Sequence, residues 1–278
     1  MRLGGPVLEP LESPEAWVDA LRKRGYTATY FPLDGAAAEA DIEAYRKAAE
    51  DADIVIAEVG AWSNPLSPDE ATRKQALEHC KRQLALADRV GARCCVNIAG
   101  SRSEQWDGPH PDNLTPETMD LIAASVREII DAVQPTRTAY SLETMPWMYP
   151  DSPDSYVALI KAIDRPAFAA HLDPVNLICS PQRYYGNAAL IRECFEKLGP
   201  YIRSCHAKDI ILHPNLTTHL DEARPGLGGL DYATFLREAD RLGPDTPVML
   251  EHLEDEASYA AAAAHVRDAA KRVGVTLR

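Results

Sequence analysis

Residues 53–99 read DIVIAEVGAWSNPLSPDEATRKQALEHCKRQLALADRVGARCCVNIA, and they contain the unit that repeats along the chain. An apolar run, Asp53–Val59, precedes a helical pattern that begins at the cap Ser67-Pro68-Asp69-Glu70 and ends at Gly91. A second apolar run, Arg93–Ala99, follows. Both runs are almost continuously apolar, as is typical of strands covered on both faces. Strand, helix and strand in this order predict a parallel sheet.

The same alternation continues outward from this stretch in both directions. It gives eight apolar runs: Arg2–Val7, Thr27–Leu33, Asp53–Val59, Arg93–Ala99, Thr138–Glu143, Ala167–Asp173, Ile202–Ile211 and Pro247–Leu253. Eight units of about 35 residues fit a closed barrel better than an open doubly wound sheet. An open sheet should also carry a G-x-G-x-x-G turn after its first strand, and Gly4-Gly5-Pro6 is not one. We therefore predict an α/β fold, a (β/α)8 TIM barrel that forms a single domain over residues 1–278.

Composition narrows the classes of partner. The chain has 29 Lys and Arg against 42 Asp and Glu, a net charge of −13. Such an acidic surface repels phosphate backbones, so we expect no nucleic-acid partner.

The chain has no apolar stretch long enough to span a bilayer and no apolar signal core at its N-terminus, which predicts a cytoplasmic protein without membrane contact. The cysteines lack zinc-ribbon spacing, so we expect buried free thiols at positions 80, 94, 95, 179, 194 and 205.

Four residues with acidic or imidazole side chains end four successive predicted strands. Glu143, Asp173, His206 and Glu251 are 30, 33 and 45 residues apart, about one unit each. Any one of them, taken alone, is as well explained by solvation or a lysine partner. Together they should converge at the mouth of the barrel, where three carboxylates would repel one another without a cation. Oxygen-rich ligation with one imidazole predicts one divalent metal, foremost Mn²⁺, with Co²⁺, Mg²⁺ or Zn²⁺ as alternatives.

Several segments of the C-terminal half resemble a known superfamily. They are Ser141-Leu142-Glu143, His171-Leu172-Asp173-Pro174-Val175-Asn176, Cys205-His206-Ala207-Lys208-Asp209, Arg224-Pro225-Gly226-x-Gly228 and Leu250-Glu251-His252. In these segments the chain resembles the sugar phosphate isomerase/epimerase superfamily, the xylose isomerase-like TIM barrels that include the ketose 3-epimerases. The N-terminal half is similar mainly in its β/α rhythm. The resemblance implies the same four metal ligands, Glu143 and Glu251 as the catalytic acid/base pair, and a possible homo-oligomer, a dimer or tetramer.

The chemistry that this resemblance implies is proton transfer on a small carbohydrate, a ketose or keto-sugar. Removing a proton from the carbon beside a carbonyl gives an enediolate, and a divalent metal stabilises its negative charge. Two carboxylates on opposite sides of that carbon would give epimerisation. A single base that moves the proton between neighbouring carbons would give aldose–ketose isomerisation.

Two departures from the ketose 3-epimerase pattern keep other functions open. Asn176 stands where these enzymes place a histidine, and Arg224 follows His206 by 18 residues instead of lying close to it. A lyase or dehydratase, which eliminates a leaving group from a keto-sugar or keto-glycoside, would use the same site. DNA-repair endonucleases of similar fold need more histidine ligands and a less acidic surface. A non-catalytic sugar-binding barrel would not need Glu143 and Glu251 as an acid/base pair.

Eight further residues are candidates for substrate binding, and each has a structural alternative. His171 and Lys208 could contact substrate oxygens. Alternatively, His171 could hydrogen-bond within the barrel interior, and Lys208 could pair with a ligand carboxylate. The other polar side chains could bind sugar hydroxyls or only complete backbone hydrogen bonds and turns. The indoles could stack on a sugar or only pack loops. The eight are His171, Asn176, Lys208, Arg224, Glu58, Asn97, Trp62 and Trp147.

Overall fold

The computed structural model describes residues 1–10 and 12–278. Its strands are β1 (Arg2–Gly4), β2 (Ala28–Tyr30), β3 (Val55–Gly60), β4 (Cys94–Asn97), β5 (Tyr140–Glu143), β6 (Phe168–Leu172), β7 (Ile202–His206), β8 (Asp209–His213), β9 (His219–Ala223) and β10 (Pro247–Met249). Its α-helices are α1 (Pro14–Arg24), α2 (Glu39–Asp51), α3 (Glu70–Val90), α4 (Pro116–Val133), α5 (Pro153–Ile163), α6 (Pro181–Tyr185), α7 (Asn187–Leu198), α8 (Tyr232–Asp240) and α9 (Glu256–Val273).

Eight strands close into a parallel barrel in the order β1-β10-β7-β6-β5-β4-β3-β2, with β1 paired to both β2 and β10. The predicted TIM barrel is confirmed. Strands β4, β5 and β6 are buried along their whole length, because helices cover them outside and side chains fill the barrel inside. The pairs Glu143–His171 and Met249–His206 are in register, so the strand ends that carry the candidate site meet at one rim.

Capping side chains and a left-handed glycine mark the ends of the helices. Ser13 Oγ accepts the Ala16 N–H at 3.2 Å, and Asp69 Oδ1 accepts the Thr72 N–H at 2.7 Å, which satisfies amides that lack an intrahelical partner. Gly91 ends α3 with φ 69°, a left-handed conformation that costs glycine little. Among residues 1–10 and 12–278, no helix has the length and apolarity needed to cross a bilayer.

The run Ile202–Ile211 is not one strand, and the prediction is wrong beyond His206. Barrel strand β7 ends there, Ala207 and Lys208 break the strand, and the chain continues as the antiparallel hairpin β8–β9. The cause lies in Asp209, which is 1% exposed. Its carboxylate accepts backbone N–H groups at 2.9–3.0 Å, which ties the start of the hairpin to the loop after it; the donors are Ile210, Gly226, Gly228 and Leu230.

Candidate active site

The four side chains predicted as metal ligands meet at the rim of the barrel. Glu143 ends β5, Asp173 follows β6, His206 ends β7 and Glu251 lies just beyond β10. One potential ligand atom from each lies within 4.8 Å of all the others, so this group could hold a metal ion. His206 Nδ1 is 2.7 Å from Glu251 Oε1 and 3.2 Å from Glu143 Oε1.

The donor set fits a divalent cation. Asp173 Oδ2 and Glu251 Oε1 are buried without a well-oriented hydrogen bond from the residues that the structure describes, and both face a cationic group, Lys208 Nζ, at 2.9 and 2.6 Å. Buried carboxylate oxygens need a positive charge close by. A divalent ion would satisfy both oxygens at once, and three carboxylates with one imidazole are ligands that Mn²⁺ and Mg²⁺ accept. The geometry is therefore that of a possible metal-binding site.

Glu58 on β3 contacts His206 on the side of its ring that faces away from the other predicted ligands. Its carboxylate is fully buried, with Oε2 3.3 Å from His206 Nε2 and Oε1 3.0 Å from His171 Nε2. Ser204 Oγ donates a further hydrogen bond to Oε1. A carboxylate on Nε2 favours the tautomer that leaves Nδ1 free as a ligand. Glu58, His171 and His206 also form a second group whose potential ligand atoms lie close enough together to hold a metal ion.

Lys208 places a cation among the acidic side chains. Its Nζ lies 2.6 Å from Glu251 Oε1, 2.9 Å from Asp173 Oδ2 and 3.7 Å from Glu143 Oε1, and the side chain is 2% exposed. Burying a charge is costly unless it is paired. The positive charge of the lysine and the negative charges of the carboxylates therefore stabilise one another in this structure.

Two residues that sequence reasoning missed complete the outer side of the site. Glu222 Oε2 on β9 lies 3.3 Å from Lys208 Nζ, and His252 Nδ1 lies 3.2 Å from both atoms. As the neighbour of Glu251, His252 would point away from the barrel axis in a regular strand. It lies beyond β10 with φ 55°, and its ring contacts the lysine. Glu222 gave no sequence signal, because its segment had the character of a loop.

The environment separates the pKa values of the three carboxyl groups. Burial, with help from Glu143, raises the pKa of Asp173 to about 6 despite Lys208. Burial also opposes ionisation of Glu143 and Glu251, but His206 and Lys208 outweigh it and hold both pKa values below their usual range. The surroundings of Glu143 and Glu251 therefore favour the anionic form of both carboxyl groups.

The structure brings four of the eight substrate-binding candidates to this centre. Lys208 lies within it, while His171 and Glu58 lie below it. Asn176 Nδ2 donates to Glu143 Oε1 at 3.1 Å and to Thr144 O at 3.0 Å. Their contacts are with protein groups, and substrate binding by them stays a prediction.

The other four candidates make no hydrogen bond or ion pair to the predicted ligands among residues 1–10 and 12–278. Asn97 is fully buried and accepts the Ile98 N–H at 2.9 Å. The Arg224 guanidinium donates to Pro225 O at 3.3 Å, within its own turn. Trp62 and Trp147 are 42% and 41% exposed in loops after β3 and β5. The two indoles remain available to a ligand, and their role stays a prediction.

Comparisons with known proteins agree with the fold. The family model described as "Xylose isomerase-like TIM barrel" matches residues 18–269. No curated protein matches the sequence. A xylose isomerase-like TIM barrel protein from Mycobacterium smegmatis, solved in complex with magnesium, superposes with a TM-score of 0.67 at 21% identity over 96% of this chain and 90% of that one.

Two further structures show how widely this fold is used. D-psicose 3-epimerase with D-tagatose, from Clostridium cellulolyticum, has a TM-score of 0.70 at 15% identity, covering 99% of this chain and 100% of that one. Endonuclease IV from Thermus thermophilus has a TM-score of 0.75 at 13% identity, covering 98% of this chain and 100% of that one. At these identities the likeness is one of fold, and the chemistry must be argued from the site.

Proposed function

This chain belongs to the family of xylose isomerase-like TIM barrels, and on that basis we propose that it is a divalent-metal-dependent sugar isomerase or epimerase. The observation that carries the proposal is the placement of two ionised carboxylates around one imidazole nitrogen. Glu143 and Glu251 both approach His206 Nδ1, from β5 and β10, which are separated in the barrel by β6 and β7. Two bases on different sides of one small space are what proton transfer across a carbon requires.

The residues that would hold the metal are Glu143, Asp173, His206 and Glu251. When bound, a divalent ion would polarise the substrate carbonyl and lower the energy of negative charge on its oxygens. We propose Mn²⁺ first, with Co²⁺, Mg²⁺ or Zn²⁺ as alternatives, because the donor set is three carboxylates and one imidazole.

The protein side chains would carry the protons. One of Glu143 and Glu251 would take the proton from the carbon beside the carbonyl as a carboxylate. The other, after taking up a proton from solvent, would deliver it to the opposite face and invert that centre, and the first would then return its proton to solvent. Asn176 holds Glu143 in place through its hydrogen bond to Oε1. Lys208, a cation at the same rim of the barrel, favours negative charge on the substrate. A single carboxylate that moves the proton between adjacent carbons would give isomerisation instead.

Deuterium exchange tests this proposal without knowledge of the product. The Mn²⁺-loaded protein is incubated in D2O with a panel of ketoses and keto-sugars, and NMR follows deuterium at the carbon beside the carbonyl. We expect exchange into at least one sugar, lowered by about 10²–10⁴-fold in Glu143→Gln and Glu251→Gln. Glu254→Gln, an exposed acid on the same loop, should keep the wild-type rate. Exchange that persists in both active-site variants would overturn the assigned roles.

The same site supports a second reaction, elimination from a keto-sugar or keto-glycoside. The observation that favours it is an ammonium at the rim of the site, Lys208 Nζ, 3.3 Å from Glu222 Oε2, because such a group can protonate a leaving oxygen. Mass spectrometry separates the two reactions: epimerisation conserves mass, whereas elimination releases water or an aglycone. Cleavage of an abasic DNA duplex added to the panel would replace both proposals with a nuclease.

A further inference from the structure

We propose that Lys208 is an internal counter-cation of the metal centre. Its ammonium holds the buried carboxylates together when the protein is metal-free, and it moves outward onto Glu222 and His252 when a divalent ion binds. This inference rests on the proposed metal site and adds a rule for how that site is filled: the metal ion competes with a lysine of the same chain.

The first step of the argument is that ammonium and metal need the same oxygens. Lys208 Nζ is closest to Glu251 Oε1 and Asp173 Oδ2, at 2.6 and 2.9 Å. Both are among the buried side-chain atoms that lack a well-oriented hydrogen bond within the residues that the structure describes. A divalent ion takes carboxylate oxygens at roughly 2.0–2.6 Å. Two cations so close to the same atoms would repel each other strongly, so the ammonium has to leave.

The second step is that a destination for the ammonium exists. Glu222 Oε2 and His252 Nδ1 lie 3.3 and 3.2 Å from Lys208 Nζ and 3.2 Å from each other. Their side chains are 34% and 59% exposed, whereas that of Asp173 is fully buried, so they lie on the solvent side of the ammonium. A lysine has a flexible four-carbon stem, and a short swing would keep one carboxylate partner throughout.

The third step gives opposite signs for two substitutions. Replacing Lys208 by methionine removes the competitor, so the carboxylates should bind a divalent ion more tightly, while the metal-free protein loses stability. Replacing Glu222 by glutamine removes the destination, so the ammonium stays among the ligands and the ion should bind more weakly. An effect of Glu222 that acts through the lysine must vanish when the lysine is gone.

The experiment is a calorimetric titration with Mn²⁺ that compares wild type, Lys208→Met, Glu222→Gln and the double variant. Asp221→Asn is the matched control, because this residue shares β9, is 70% exposed and pairs with His213 instead of the lysine. We expect Lys208→Met to lower the Kd by about tenfold or more, the scale of one buried charge pair. We expect Glu222→Gln to raise it by about three- to tenfold relative to Asp221→Asn, and to have no effect in the Lys208→Met background.

The outcomes test the counter-cation proposal and the proposed metal enzyme separately. A Kd for Lys208→Met that equals or exceeds the wild-type value overturns the counter-cation. So does a Glu222→Gln effect of equal size in both backgrounds, because it would then be only a long-range charge effect. If Lys208→Met does not fold without metal, the comparison of Glu222→Gln with Asp221→Asn decides alone. No Mn²⁺ binding by any variant overturns the proposed metal enzyme instead.

Discussion

Glu58 is a buried charge that contacts Nε2 of His206, whereas Glu143 and Glu251 contact its Nδ1. Although burial opposes its ionisation, His171 and His206 outweigh that cost and hold the pKa of Glu58 well below its usual value. We expect Glu58→Gln to keep the shape of the site but leave His206 Nε2 without its carboxylate partner. Unfolding should cost about 3–5 kcal/mol less, the effect of breaking a buried pair. Mn²⁺ binding should weaken by about 10–100-fold.

Urea unfolding and Mn²⁺ titration check the two effects of Glu58→Gln separately. Ser204→Ala is a useful control, since it removes one hydrogen bond to Glu58 but keeps the carboxylate charge. Mn²⁺ affinity that is unchanged in Glu58→Gln would show that the carboxylate supports the fold and does not orient the ligand.

The cysteines give a second prediction for single residues. Of the six thiols, Cys179 alone is exposed, so the prediction of a buried thiol is wrong at this position and confirmed at the other five. Burial raises the pKa of Cys194 to about 12 and raises the pKa of Cys94 and Cys205 as well, which suppresses the reactive thiolate. We expect the native protein to react with one equivalent of a thiol reagent such as Ellman's reagent, and the guanidinium-unfolded protein with six. Two or more fast equivalents in the native state would contradict the burial of these side chains.

The sequence predicts single ligands better than the contacts among them. Glu143, Asp173 and His206 could be predicted to meet, because the C-terminal ends of parallel strands share one rim. Lys208, two residues past His206 and so on the same face, left two roles open: contact with substrate oxygens or pairing with ligand carboxylates. Its distances to Asp173 and Glu251 show the pairing, and no sequence pattern predicts that one ammonium contacts both.

Among the elements, the turn after the hairpin depends on one carboxylate and one glycine. Asp209 accepts four backbone N–H groups, and a Cβ on Gly228 would lie 2.3 Å from Ile210 O, which no side chain can tolerate. We expect Asp209→Ala to destabilise the protein by about 3 kcal/mol, because several buried amides lose a charged acceptor. Hydrogen exchange at Gly226 and Gly228 should accelerate more than exchange in the barrel strands.

Urea unfolding measures the cost of Asp209→Ala, and exchange mass spectrometry locates it. Asp231→Ala, which removes the cap that accepts the Thr234 N–H at the start of α8, is the matched loss of an aspartate near the same loop. Exchange at Gly226 and Gly228 that is equally slow in wild type and Asp209→Ala would mean that the loop is held by other contacts.

The hairpin also marks where element prediction fails. Apolar residues recur along the whole of Ile202–Ile211, and nothing in that pattern places a strand end at His206. The end is set by the carboxylate of Asp209, whose partners lie up to 21 residues further along the chain. Strand β9 reads HLDEA, with its polar residues mostly exposed, so it lacks the alternation that predicts a half-buried strand. Glu222 was missed for this reason.

For the whole molecule, the order of the barrel strands could be predicted more securely than their lengths. A parallel connection needs a crossover, short crossovers put successive strands side by side, and eight such units close the sheet. Strand lengths depend on neighbours instead: the apolar run Pro247–Leu253 pairs in the barrel only over Pro247–Met249. The residues just beyond, which include Glu251, leave the sheet and enter the site.

Metal binding should therefore stabilise the barrel as a whole, because the candidate ligands come from four strand ends. An ion that binds only the folded protein stabilises it by about 2.7 kcal/mol at one hundred times its Kd. For a chain of this size that corresponds to a rise in Tm of about 5 °C. We expect Mn²⁺ to give this shift in a thermal melt and EDTA to reverse it. Asp173→Asn keeps the shape of the side chain but removes its charge, and should abolish the shift. An Mn²⁺ response that survives in Asp173→Asn would place the ion elsewhere on this acidic protein.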